Sequence, residues 1–214
     1  ALAPLLVERM IETINLEGEV HPSRGFGDLV VLINPAFEAA RYAVLQNIAH
    51  EMENGFFTNQ PVILAIFTSK SDNATKVAFP IGRMVSTVFN QYQGKFEKRA
   101  NITAVGHFQP FITHDLIALD KSNVVDTTPG LMDEKEMEAS AERVVSVKRQ
   151  LHNVAPKYSV QIGHALLQPR DTNHPFMPLF VVAVDPKIIP DHNTIDKKPF
   201  LKFLSEFLLE YSGE

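Results

Sequence analysis

A chain of 214 residues with 45% hydrophobic and 21% charged side chains has the balance of a globular protein and is long enough for one large domain. Its net charge of −5, with basic residues scattered along the sequence, argues against a nucleic-acid surface, and no apolar run approaches the length that spans a bilayer. The absence of cysteine excludes a disulfide framework, a cysteine nucleophile and a thiolate metal site.

The opening, ALAPLLVERMIETI, sets Leu5, Leu6, Met10 and Ile14 at helical spacing with no cap before them. A helix already under way is expected there, and with it a piece of a longer protein. Residues 15–27 form a polar connection containing glycine. Residues 28–34, DLVVLIN, then predict a strand buried on both faces and stopped by Pro35. Over 37–52, Phe37, Ala40, Val44, Leu45, Ile48 and Met52 fall on one helical stripe. A second buried strand is expected over 62–68, after Pro61. The polarity changes abruptly at Ser69, Lys70, Ser71, Asp72 and Asn73, and 74–92 resumes a helical spacing with Val77, Met84, Val85, Val88 and Phe89. Strand, helix, strand, helix over 28–92 makes two parallel crossover units of an α/β sheet.

The rhythm breaks between residues 93 and 177. Residues 101–119 mix alternation with aromatics and predict a short strand pair or a lid over the sheet edge. Residues 120–150 are the most polar and predict a surface loop running into an exposed helix. A strand is expected within 158–167 and a turn over 168–174. Regularity returns with 178–184, PLFVVAV, a third wholly apolar strand, followed by a polar loop over 185–194. The chain closes on a helix over 199–211 with Phe200, Leu201, Leu204, Phe207 and Leu208 on one face. His192 thus follows one buried strand as Asp72 follows another. Asp72 fits two roles, helix N-cap and catalytic acid. No glycine-rich phosphate loop follows a strand, and no acidic pair stands at metal spacing from a histidine, so neither a cofactor nor a metal is expected.

With the acid in TSKSDNAT and the histidine in IPDHNTI, residues 1–92 and 176–211 resemble the C-terminal half of the α/β-hydrolase superfamily. There the acid follows a late strand, and the histidine lies in the loop after the last strand, just before the terminal helix. The resemblance implies the C-terminal part of a doubly wound, mostly parallel sheet. Residues 1–214 would form one domain, and 93–177 an irregular, lid-like insertion within it. It also implies a serine hydrolase cleaving carboxylic esters or similar acyl bonds, in which Asp72 holds His192 and His192 serves as base and then acid. Asn73, Asn193 and His107 are the supporting candidates.

The superfamily's G-x-S-x-G elbow is missing, because no serine of the sequence carries the flanking glycines. The resemblance therefore places the nucleophile upstream of Ala1, with the opening helix as the one that follows the elbow. On that basis residues 1–214 alone are expected to be inactive. The expected partners are a small ester-like substrate and either the N-terminal half of the same protein or a second copy that completes the sheet. The expected setting is cytoplasmic. The competing expectation is a non-catalytic module of the same fold that binds a ligand or protein partner, with Asp72 a simple cap and His192 an ordinary loop residue.

Overall fold

The computed structural model describes residues 13–16, 19–22, 29–53, 64–119, 159–170 and 179–211. In chain order its strands and helices are β1 (Thr13–Leu16), β2 (Glu19–Pro22), β3 (Val30–Ile33), α1 (Ala39–Glu53), β4 (Leu64–Ser69), α2 (Phe79–Ser86), α3 (Lys95–Ile102), β5 (His114–Ala118), β6 (Val160–Ile162), β7 (Ala165–Pro169), β8 (Leu179–Val184) and α4 (Lys198–Tyr211). A wide π-type turn, Ala74–Ala78, leads into α2.

β4 and β8 are wholly buried, as their unbroken apolar character predicts. They pair in parallel from Leu64↔Leu179 to Ser69↔Val184 and lie in the middle of a six-stranded sheet of order β3-β4-β8-β5-β7-β6. β3, β4, β8 and β5 run parallel, and β7 is antiparallel to both of its neighbours, β5 and β6. The architecture is therefore α/β, a mixed and mostly parallel sheet with helices. Alternation along β4 feeds two separate cores. Leu64 and Ile66 join Tyr42, Leu45, Phe108 and Phe111 on one face, while Ala65 and Phe67 join Phe200, Phe203 and Phe207 on the other.

Several expectations need correction. Thr13–Leu16 and Glu19–Pro22 pair as antiparallel strands where the end of a helix and a connection were expected; residues 1–12 lie outside the described residues. β3 is only partly buried, because among the described strands it pairs with β4 alone and stands at the edge. Residues 93–177 are not an irregular insertion where they are described. They supply α3 and then β5, β6 and β7, which extend the sheet beyond β8. β6 and β7 make a hairpin at the expected strand, turning at Gly163, whose φ of 55° suits glycine. The exposed helix expected within 120–150 lies outside the described residues, as does most of the turn at 168–174.

Two helices are rotated from their predicted faces. α1 buries Ala39, Tyr42 and Leu45 and exposes Val44, since the Tyr42 ring packs on Phe111 with centroids 5.3 Å apart. α4 buries Phe200, Phe203 and Phe207 and leaves Leu201 and Leu208 exposed. Its three rings surround Phe67 at centroid distances of 5.9, 5.4 and 5.2 Å, all edge-on. Aromatic geometry, and not the count of apolar residues, chose the buried face.

Candidate functional site

Because β8 lies directly beside β4 and parallel to it, the loops that follow them leave the same edge of the sheet side by side. Asn34, just past β3, prepares the first loop. It sits in the left-handed region at φ 45°, which asparagine tolerates, and its Oδ1 accepts the Ser69 N–H at 2.9 Å. Two serines then fasten this loop to the next. Ser69 Oγ donates to the Ile189 carbonyl at 2.6 Å, and Ser71 Oγ donates to the Pro190 carbonyl. Ile188 and Ile189 are buried and anchor the second loop, whose tip is closed by Asp191. The Asp191 carboxylate accepts the Asn193 backbone N–H at 2.8 Å, and the Asp191 N–H donates to Thr194 Oγ1 at 3.1 Å. His192 is held between these fixed points.

The result is direct contact across 120 positions of sequence: His192 Nδ1 lies 3.0 Å from Asp72 Oδ2. Asp72 is fully buried, and the His192 side chain is 42% exposed. Cap and partner turn out to be compatible roles, because a carboxylate has two oxygens. Oδ1 accepts the Ala74 N–H at 2.9 Å and caps the helical turn, leaving Oδ2 for the imidazole and for the Thr75 hydroxyl at 2.5 Å. Burial on its own would raise the Asp72 pKa. The hydrogen bonds from Thr75, His192 and the Ala74 N–H outweigh it and hold the carboxyl below its ordinary range. Since an ionised carboxylate only accepts, Nδ1 carries a proton, and in the neutral ring the Nε2 lone pair of His192 is left as a base.

Thr75 joins a third group to the site. Its single proton is committed to Asp72, so the 3.0 Å contact with His107 Nε2 requires His107 to donate. Burial lowers the His107 pKa against the pull of Asp72, with Lys76 adding to the lowering, which favours a neutral ring protonated on Nε2. Gly106 lets the turn Val105–His107 approach this closely, since a Cβ there would lie 1.8 Å from Thr68 Oγ1.

Of the predicted residues, the structure brings Asp72, His192 and His107 into one network. Asn73 is exposed and makes no capping bond with its side chain, because Asp72 takes that role. Asn193 contributes its backbone N–H, and it is the Asp191 side chain that orients the loop. Thr75, Asn34 and Asp191 were missed. Thr75 had a signal, standing three residues after a capping aspartate, where a side chain returns to the cap. Among the described residues no group of three or more histidines and acids could hold a metal ion. No helix there is long and apolar enough to cross a membrane. No family model, curated protein or solved structure matches the chain.

Proposed function

We propose that this chain supplies the acid and the base of a Ser-His-Asp triad in a serine hydrolase of carboxylic esters or similar acyl bonds. The observation that carries the proposal is the contact of His192 Nδ1 with the buried Oδ2 of Asp72, on a ring that is partly exposed. In this role His192 Nε2 takes the proton of a serine hydroxyl as it attacks an acyl carbonyl, and returns it to the leaving alcohol. Asp72 fixes the tautomer and stabilises the imidazolium formed between the two steps. The hydrogen bond from Thr75 helps to keep Asp72 ionised, and His107 in turn holds the Thr75 hydroxyl.

The nucleophile is proposed to lie upstream of residue 1. Ser69 and Ser71, the serines on the acid's own loop, already donate their protons to the carbonyls of Ile189 and Pro190 and serve as staples. Residues 1–214 alone should then have no turnover on small activated esters. The gene product that includes the upstream sequence should be active, and Asp72→Asn should lower its kcat by about 10⁴-fold by favouring the wrong tautomer. Esterase turnover by residues 1–214, or an Asp72→Asn variant of near wild-type kcat, would overturn the proposal.

A further inference from the structure

Three donors reach the two carboxylate oxygens of Asp72, and one of them has a choice of acceptor. The Ala74 N–H on Oδ1 is set by the turn, and the His192 ring on Oδ2 by its stapled loop. The Thr75 hydroxyl is a rotor with one proton and two side-chain neighbours, Asp72 Oδ2 at 2.5 Å and His107 Nε2 at 3.0 Å, and both Thr75 and Asp72 are fully buried. Were His107 to carry its proton on Nδ1, its bare Nε2 would compete for the Thr75 proton. Asp72 would then keep two donors against a burial that by itself drives the carboxyl toward its neutral form.

With a proton on Nε2, the His107 ring can only donate there, and of the two neighbours Asp72 alone is left to accept from the hydroxyl. A doubly protonated ring donates from Nε2 as well, so one species alone undoes the arrangement, the neutral tautomer protonated on Nδ1. The turn Val105–His107 reaches Thr75 because Gly106 has no Cβ to strike Thr68. Two further charged groups stand nearby. Lys76 turns its Nζ back to the Lys70 carbonyl, and Asp191, next to His192 in sequence, holds the Asn193 N–H with its carboxylate. We propose that His107 is a positioning residue of the Asp72–His192 pair, whose Nε2–H turns the Thr75 hydroxyl onto Asp72 Oδ2, the oxygen that also meets the imidazole of His192. It acts through Thr75 and, among the described residues, has no hydrogen bond of its own to Asp72 or His192. That the arrangement serves catalysis rests on the proposed hydrolase function; the tautomer and the coupling to Asp72 do not.

NMR of the imidazole nitrogens of the 214-residue chain tests the tautomer without any measure of activity. His107 should carry a proton on Nε2, and neutral His192 should carry its own on Nδ1. The side-chain carboxyl carbon of Asp72, followed by NMR while the chain stays folded, tests the coupling. It should begin to titrate at higher pH in Thr75→Val and in His107→Phe than in wild type. The double variant should titrate no higher than Thr75→Val alone, because the two groups act in series. His107→Gln, whose amide keeps a donor, should return the Asp72 titration toward that of wild type. In the complete gene product, Thr75→Val and His107→Phe should each lower kcat on a small activated ester about tenfold at unchanged KM. A neutral His107 protonated on Nδ1, an Asp72 titration unmoved by His107→Phe, or a further rise in the double variant, as ring desolvation alone would give, would overturn the proposal. An inactive gene product with the NMR results as expected would remove the hydrolase reading and leave the positioning of Asp72 standing.

Discussion

His114 and Asp72 are both buried acid–base groups at the sheet, and their surroundings fix opposite charge states. Thr113 Oγ1 donates to the Val181 carbonyl at 3.1 Å, so its 2.8 Å contact with His114 Nδ1 makes the histidine the donor there. The other nitrogen, Nε2, is buried with no hydrogen-bond partner among the described residues, and the ring lies over Phe180 with centroids 4.3 Å apart. Burial, opposed only by the charge of Asp115, pushes the His114 pKa down from 6.5 to about 4. The unfolded chain therefore binds a proton between those pH values that the folded chain refuses, so stability is lost as pH falls through this window. The loss attributable to His114 is on the order of 3 kcal/mol, and His107, lowered in the same direction, adds to the slope. Asp72, whose carboxyl is held below its ordinary range, keeps its contribution until the pH falls further and loses it only below the window of His114. Denaturant unfolding across this range should show the slope in wild type and a flatter one in His114→Gln. A wild-type stability independent of pH between 6.5 and 4 would contradict the neutral buried imidazole.

What the sequence disclosed at this scale was the chemistry that local context determines. The abrupt change of polarity after a buried strand singled out Asp72, and the loop before the last helix singled out His192. Their meeting depended on β8 lying beside β4, a fact of sheet order that no local pattern encodes. Thr75 and Asn34 escaped because their importance lies in which donor and which lone pair remain available after the chain has folded.

At the scale of elements, the strands were more legible than the helices. An unbroken apolar run such as that of β8 has no face to misassign, whereas on α4 leucines and phenylalanines compete for burial. The three phenylalanines won because together they enclose Phe67. Phe203→Ala should lower the stability of the chain by about 3–5 kcal/mol. Leu201→Ala, on the face expected from the apolar count but exposed in the structure, should change it by about 0.5 kcal/mol. Urea midpoints at unchanged slope measure both, and comparable losses would mean that α4 packs on its predicted face after all. β5 and β7 fall in or beside stretches read as a short strand pair or lid and as a strand; their place in the main sheet was obscured because they are short and interrupted by polar residues such as Asp115 and Gln168, which pair with each other. Asp115 is gripped there by Arg170 at 2.6 and 3.0 Å and by Lys70, from the loop after β4, at 2.8 Å.

For the whole molecule, the sheet has two unlike sides. Toward β6 it is extended by strands that the sequence disguised as an insertion, and toward β3 it ends, among the described strands, in an edge with partly exposed side chains. Between them, β4 and β8 bring Asp72 and His192 together. The central claim is that this pair activates a serine supplied upstream of residue 1. Labelling the complete gene product with a serine-directed phosphonate, followed by peptide mapping, tests that claim most directly. The label should fall on a serine upstream of residue 1 and should be lost in His192→Ala. A label on Ser69, Ser71 or any other serine of residues 1–214, or labelling that proceeds unchanged without the His192 imidazole, would contradict it.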